Sequence, residues 1–193
     1  MKKLFSNSLI ENITIPLKRT FYQCLQLKSV TFSEHSKLNS IGKCAFYESS
    51  IEFLSIPSSV AVLKKGWCHN VLNLNKIEII KNKVQNFIEY NNELIIGKSE
   101  PEIENFDVIV FAIRNIKNIT IPSFIKRIGP FSFQYYNKLK NVKFDENSEL
   151  ISIDQKAFDN SSIEKIDIPS HVTQIQKFAF SKCNHLKKVE FNE

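Results

Sequence analysis

Short stretches that alternate apolar and polar residues recur along the chain at a nearly constant spacing. Leu54-Ser55-Ile56, Ile119-Thr120-Ile121 and Ile166-Asp167-Ile168 are three of them. An alternation of period two is typical of a strand with one buried face. Each stretch follows a leading aliphatic residue, and these leading residues are Leu27, Ile51, Leu74, Ile116, Leu139, Ile163 and Leu186. Neighbouring members are 23 or 24 positions apart, except for a gap of 42 after Leu74.

The segments around these positions repeat one another, which predicts a stack of parallel strands in a solenoid. Three copies align without gaps: IEFLSIPSSVAVLKKGWC (51–68), IKNITIPSFIKRIGPFSF (116–133) and IEKIDIPSHVTQIQKFAF (163–180). A second form without the proline alternates with them: LKSVTFSEHSKLNSIGKCAF (27–46) and LKNVKFDENSELISIDQKAF (139–158). The copies carry an aromatic residue at or near their end, which predicts a buried row made of Phe21, Phe46, Phe133, Phe158 and Phe180. The first copy, which begins at Ile10, is six residues short.

The spacing predicts one array over residues 1–193, with regular repeats in 10–79 and 113–191 and an insertion at about 80–112. Within the insertion, two β-rich runs flank Asn91-Asn92, a pair that suits a tight hairpin over 87–97, and residues 107–112 predict a further strand. The insertion is either a binding element or a bridge across an imperfect junction. The chain opens and closes inside a repeat, so we expect part of a longer array or ends protected by irregular structure, a partner or end-to-end association.

Composition narrows the function classes. The chain has 16 Phe but 4 Gly, which argues against glycine-rich phosphate loops. The net charge of +6 is spread without a basic block, so it predicts a solvated surface rather than a nucleic-acid partner. The apolar runs are too short for a membrane span, and the polar residues after Phe5 do not fit a signal peptide.

Candidate catalytic and metal-binding residues are few. The four cysteines form no zinc spacing with the four histidines, and we expect no metal or other cofactor. Cys24 and Cys183 occupy the same repeat position, which predicts a small buried packing role. Cys68 and His69 are adjacent in sequence, and a hydrolase or transferase would need both side chains to converge on a cleft.

The outward positions of the strands give the predicted partner-binding face. Its residues are Phe53, Ser55, Lys76, Asn118, Thr120, Asn141, Lys143, Lys165, Asp167 and Lys188. We expect Lys143 and Asp167 to form a cross-strand pair of opposite charge. Phe53 is expected to be an exposed aromatic in a polar row, a residue type that anchors binding patches.

The phrases IPSxVxxI, GKCAFY (42–47) and AFSKCNHLKKVEF (179–191) resemble the BspA-like leucine-rich repeats. This resemblance implies a right-handed leucine-rich repeat solenoid that is β-rich, with short helical or irregular convex segments and a parallel sheet on the concave face. The family is known from bacterial and protozoan surface-associated proteins implicated in adhesion. The resemblance thus implies a non-enzymatic module, at a cell surface or secreted, that binds a protein or glycan surface. The alternative is an intracellular scaffold segment of a larger protein.

Overall fold

The computed structural model describes residues 19–80, 85–100 and 102–191. The predicted short first repeat from Ile10 lies largely outside the described residues. The chain divides into two compact units, residues 1–92 and 93–193. A single array over both units stays a prediction.

The first unit is built from short strands, five of which form two parallel sheets. The strands are β1 (Ser29–Val30), β2 (Ser40–Ile41), β3 (Phe53–Pro57), β4 (Val62–Leu63), β5 (Lys76–Ile80) and β6 (Phe87–Tyr90). One sheet has the order β1-β3-β5, and the other pairs β2 with β4. Successive strands therefore alternate between two walls, and each regular coil contributes one strand to each wall, as in a leucine-rich repeat solenoid.

The second unit repeats this plan with more coils. Its strands are β7 (Leu94–Gly97), β8 (Val108–Ala112), β9 (Asn118–Ile121), β10 (Arg127–Ile128), β11 (Asn141–Phe144), β12 (Ser152–Ile153), β13 (Lys165–Ile168), β14 (Gln174–Ile175) and β15 (Lys188–Phe191). Strands β9, β11, β13 and β15 form a parallel sheet in chain order. The second wall has the order β7-β8-β10-β12-β14, and β7 runs antiparallel to β8 while the other pairs are parallel.

The alternation in the sequence determines which face of each strand is buried. In β9 the exposed Asn118 and Thr120 alternate with the buried Ile119 and Ile121. The register aligns equivalent residues of successive repeats, so Ile119 pairs with Val142 and Ile121 with Phe144. Like positions therefore meet in every coil, and the aliphatic rows of the sequence become continuous rows of the core.

The predicted aromatic row is present in both units. In the second unit the ring of Phe158 stacks between Phe133 and Phe180, with centroid separations of 5.0 and 5.3 Å. In the first unit Phe21 stacks on Phe46 at 5.1 Å. The rings of Phe46, Phe133 and Phe158 are fully buried, so this row supplies much of the apolar core.

The coils turn at pairs of residues that lie four positions apart and have positive φ. The pairs are Arg19/Gln23, Cys44/Glu48 and Gly66/Asn70 in the first unit, and Phe131/Tyr135, Lys156/Asn160 and Phe178/Lys182 in the second. Their φ values lie between 52 and 74°, and Gly66 is the single glycine among them. A non-glycine residue in this region costs about 1–2 kcal/mol. Hydrogen bonds between coils hold the conformation, such as Tyr135 N to Asp159 O at 3.0 Å.

The predicted insertion at about 80–112, here called the irregular segment, differs from a regular coil in the places that the sequence indicates. Strands β6 and β7 coincide with the two β-rich runs, and Asn91 and Asn92 between them have φ of 52 and 55°. Strand β8 follows as expected and leads into the regular coils. The described residues contain no helix, so no helix in this part of the chain could cross a bilayer.

We expect Phe158→Ala to lower the free energy of unfolding by about 3–5 kcal/mol, because it leaves a cavity between two stacked rings. Urea unfolding followed by far-UV circular dichroism measures this loss. Phe191→Ala is the control: its side chain is 68% exposed, and the expected loss is below about 0.5 kcal/mol. A loss below about 1 kcal/mol for Phe158→Ala would contradict a core organised by ring stacking.

Candidate functional site

The outward residues of β9, β11, β13 and β15 form a continuous polar surface in the second unit, here called the strand face. Two rows cross it. Asn118, Asn141, Lys165 and Lys188 pair in register in one row, and Thr120, Lys143, Asp167 and Glu190 lie two positions further along the same strands in the other. The structure therefore brings together all the predicted site residues that belong to this unit. Glu190 completes the second row.

The β9–β11 part of the strand face is uncharged except for Lys143. Asn141 Nδ2 donates to the side-chain Oδ1 of Asn118 at 2.7 Å, which orders the two carboxamides along the row. Thr120 pairs with Lys143 across the two strands, and all four residues are exposed. This part of the face is thus a carboxamide and hydroxyl surface with one ammonium group.

The β13–β15 part of the strand face is a cluster of opposite charges. Lys165 Nζ lies 3.1 Å from Asp167 Oδ2 and 3.0 Å from Glu190 Oε2, and Lys188 also pairs with Glu190. Hydrogen bonds from Lys188 and Lys165 lower the pKa of Glu190 to about 2, and the bonds that Lys165 donates to Glu190 and Asp167 raise the pKa of Lys165. Because these groups are solvent-exposed, the pairs add little stability but do neutralise one another.

The prediction that Lys143 and Asp167 form a cross-strand pair is wrong, since Asp167 pairs with Lys165. Lys143 and Asp167 lie on the neighbouring strands β11 and β13, but Asp167 is engaged by Lys165 of its own strand. Within the described ranges, Lys143 has no ion-pair partner. A residue two positions away on the same strand lies on the same face and can compete with the cross-strand neighbour.

Two expectations for the first unit also need correction. Phe53 is half-buried rather than exposed, and Lys76 Nζ lies 5.6 Å from its ring centroid in a cation–π contact. Ser55 is only 4% exposed, and its Oγ accepts a hydrogen bond from Phe32 N at 2.8 Å. Ser55 therefore stabilises the neighbouring coil, whereas Lys76 stays exposed.

The cysteine and histidine positions do not form a nucleophilic site. Cys68 is buried at 4% exposure, and the ring of His69 stacks on Tyr47 at a centroid distance of 5.0 Å. A buried thiol cannot meet a substrate in a cleft, so the hydrolase or transferase hypothesis is not supported. Residues 19–80, 85–100 and 102–191 contain no group of three or more His, Cys, Asp or Glu placed to hold a metal ion.

The predicted buried role of Cys24 and Cys183 is only partly correct, since both are half-buried. Cys183 Sγ donates to the Phe158 carbonyl oxygen at 3.0 Å and contacts Ser161 Oγ at 3.4 Å. Burial raises the pKa of the Cys183 thiol, so the neutral form is favoured. This thiol is a hydrogen-bonding packing residue of the coil.

A second surface feature, missed by the sequence analysis, is a groove of about 380 Å³ on the β10–β12–β14 wall. Two buried carboxylates lie in its lining. Asp154 Oδ2 accepts from Arg127 Nη2 at 2.7 Å, and Asp107 accepts from Ser99 N and Ser99 Oγ, both at 2.8 Å. The signal for it was the polar set Arg127, Ser152, Asp154, Gln174 and Gln176, at equivalent positions of successive repeats.

The repeat pattern, the two-walled coils and the strand face define a leucine-rich repeat solenoid. The family model of the BspA type leucine rich repeat region matches residues 1–94 and 104–193 with 6 copies. The chain belongs to this family of BspA-type leucine-rich repeats. Such solenoids are typically non-enzymatic binding scaffolds. No match was found among curated proteins.

Solved structures of bacterial leucine-rich repeat proteins share the fold. A leucine-rich repeat protein from Eubacterium ventriosum is 26% identical, with a TM-score of 0.67 over 81% of this chain and 40% of that one. A leucine rich cell surface protein from Faecalibacterium prausnitzii is 19% identical, with a TM-score of 0.51 over 90% of this chain and 62% of that one. The chain thus spans less than two thirds of either relative.

Glu190 is expected to titrate near pH 2 rather than near its usual value of 4.5. Since the pKa is lowered in the folded state, the ion pairs contribute stability above pH 4.5, and this contribution is lost as the pH falls through 2. A carboxyl carbon NMR titration measures this pKa. Lys165→Met should raise it towards 4.5, whereas Lys177→Met, at an exposed lysine outside the cluster, should leave it unchanged. Titration of native Glu190 near 4.5 would refute the cluster.

Proposed function

We propose that the chain is a non-enzymatic binding module whose strand face engages an anionic group on a protein or glycan surface. Membership of the leucine-rich repeat family supports a binding role. The proposed contact residues in the second unit are Lys143, Asn118, Asn141 and Thr120. In the first unit, Lys76 over Phe53 forms a similar cationic patch.

The observation that carries the proposal is the difference between Lys143 and the other lysines of the strand face. Lys165 and Lys188 are already engaged by carboxylates at the surface. Lys143 is exposed and, among the described residues, has no carboxylate partner. Because the residues of β9 beside Lys143 are neutral, an incoming carboxylate or sulfate meets no repulsion from that strand, and the Asn118 and Asn141 carboxamides can add hydrogen bonds.

Surface adhesion is the proposed biological setting of this binding. The Faecalibacterium prausnitzii relative is described as a cell surface protein. That description supports a surface location for this chain as part of the same proposal. A regular strand face with varied polar residues suits attachment to an extended partner, since many weak contacts act together.

We expect Lys143→Glu to weaken binding to an immobilised extracellular-matrix preparation by about tenfold, which corresponds to about 1.4 kcal/mol. The substitution reverses the one unneutralised charge on the strand face, so an anionic partner is repelled. Biolayer interferometry with the full chain at 0.05 and 0.5 M NaCl measures the change, and added salt should weaken the wild type more than the variant.

Lys177→Glu is the matched control, because it makes the same charge change at an exposed lysine that lies outside the strand face. It should bind as the wild type does. Equal binding by the Lys143 variant and the wild type, with both folded, would refute the choice of this face. Equal losses of binding for both variants would show that the net charge of the chain causes the loss, and this would also refute the choice of the strand face.

A further inference from the structure

We propose that the groove on the β10–β12–β14 wall is a separate binding site for a neutral saccharide unit. The groove lies within the second unit and shares no lining residue with the strand face. It does not depend on the function proposed for that face. Its lining extends from Asp107, next to β8, to Gln174 in β14, and three strand spacings cover about 14 Å, enough for two sugar rings.

The polar groups of the groove are held in place before any ligand arrives. Asp154 is 2% exposed, and it accepts hydrogen bonds from Arg127 Nη2 at 2.7 Å, Gln176 Nε2 at 3.1 Å and Ser152 Oγ at 3.3 Å. Asp107 is 3% exposed and is held by the two bonds from Ser99. A fixed guanidinium and fixed carboxylates reduce the ordering cost of binding.

The groove also has hydrogen-bonding capacity that the protein does not use. Gln174 is exposed in the lining, and its carboxamide has no hydrogen-bond partner among the described residues. Arg127 has five N–H donors, and its fork is positioned by a single bond to Asp154. The Arg127 guanidinium offers neighbouring donors, and the Gln174 carboxamide offers a donor beside an acceptor, groups that can bind the hydroxyls of a sugar.

The charges and the apolar surface of the groove decide the ligand class. Lys126 and Arg127 balance Asp107 and Asp154, so the lining has no net charge and favours an uncharged ligand. Ile151 is 45% exposed in the lining and can contact the C–H face of a sugar ring. It is the only aliphatic side chain among the lining residues, so the groove offers no set of apolar pockets for the side chains of a peptide.

The test is a titration of the full 15N-labelled chain with neutral gluco-, galacto- and manno-oligosaccharides of two to four units. One neutral sugar is expected to shift the side-chain amide signals of Gln174 and Gln176. Gln174→Ala should weaken its binding at least fivefold. Gln26→Ala, which truncates an exposed glutamine of the first unit, and Lys143→Ala on the strand face should not change it.

Three results would overturn the saccharide site. The first is that none of the neutral sugars shifts these signals at 20-fold molar excess and millimolar concentration, roughly the weak end of specific binding. The second is binding that survives Gln174→Ala but is lost in Lys143→Ala, which would assign it to the strand face. The third is that only a neutral Ser/Ala peptide or a sulfated oligosaccharide shifts the Gln174 signal.

Discussion

The in-register stacking of successive coils is the constraint on which the rest of the structure depends. Each side chain lies beside its equivalent from the next repeat, so a residue can be buried only if its equivalents are compatible. Phe158 lies between Phe133 and Phe180, and Ile119 pairs with Val142. A single coil has no core of its own, because its inward side chains become buried only when another coil covers them. The same rule applies outside the core, where it brings Asn118 to Asn141 and Lys165 to Lys188.

Two outer surfaces of the second unit follow from this rule and differ in chemistry. On the strand face, charges lie at the surface and neutralise one another through exposed pairs, which leaves Lys143 available to an anion. On the second wall, the carboxylates are buried and their hydrogen bonds come from protein donors, as for Asp154. The exposed face therefore suits salt-sensitive attachment, whereas the groove suits directional recognition of a neutral group.

The sequence predicted the parts of the fold that depend on direction alone. A period of two reports which side chains point inward, and a period of 23 or 24 reports which of them stack, so the strands and the aromatic row could be predicted. Distances between side chains could not be predicted. Ser55 occupies an outward position, but its hydroxyl lies against Phe32 N and is buried. Asp167 had two lysines within reach, and the choice between Lys165 and Lys143 depends on rotamers that no spacing encodes. The groove was missed because its walls join Ser99 and Asp107 of the irregular segment to regular coils.

The residues with positive φ at the coil corners are positions where substitution by glycine can increase the stability of this chain. The coil geometry imposes positive φ whatever side chain is present. Non-glycine residues such as Phe131, Lys156 and Phe178 therefore incur the steric cost of this conformation. Among the corners of the described residues, only the one at Gly66 avoids that cost. The corner residues flank the stacked rings, as Lys156 and Asn160 flank Phe158, but none of them belongs to the strand face or lines the groove. Thermal stability and recognition can therefore change independently in this scaffold. Substitutions to glycine at the corners alter thermal stability, and substitutions on the strand face or in the groove alter recognition.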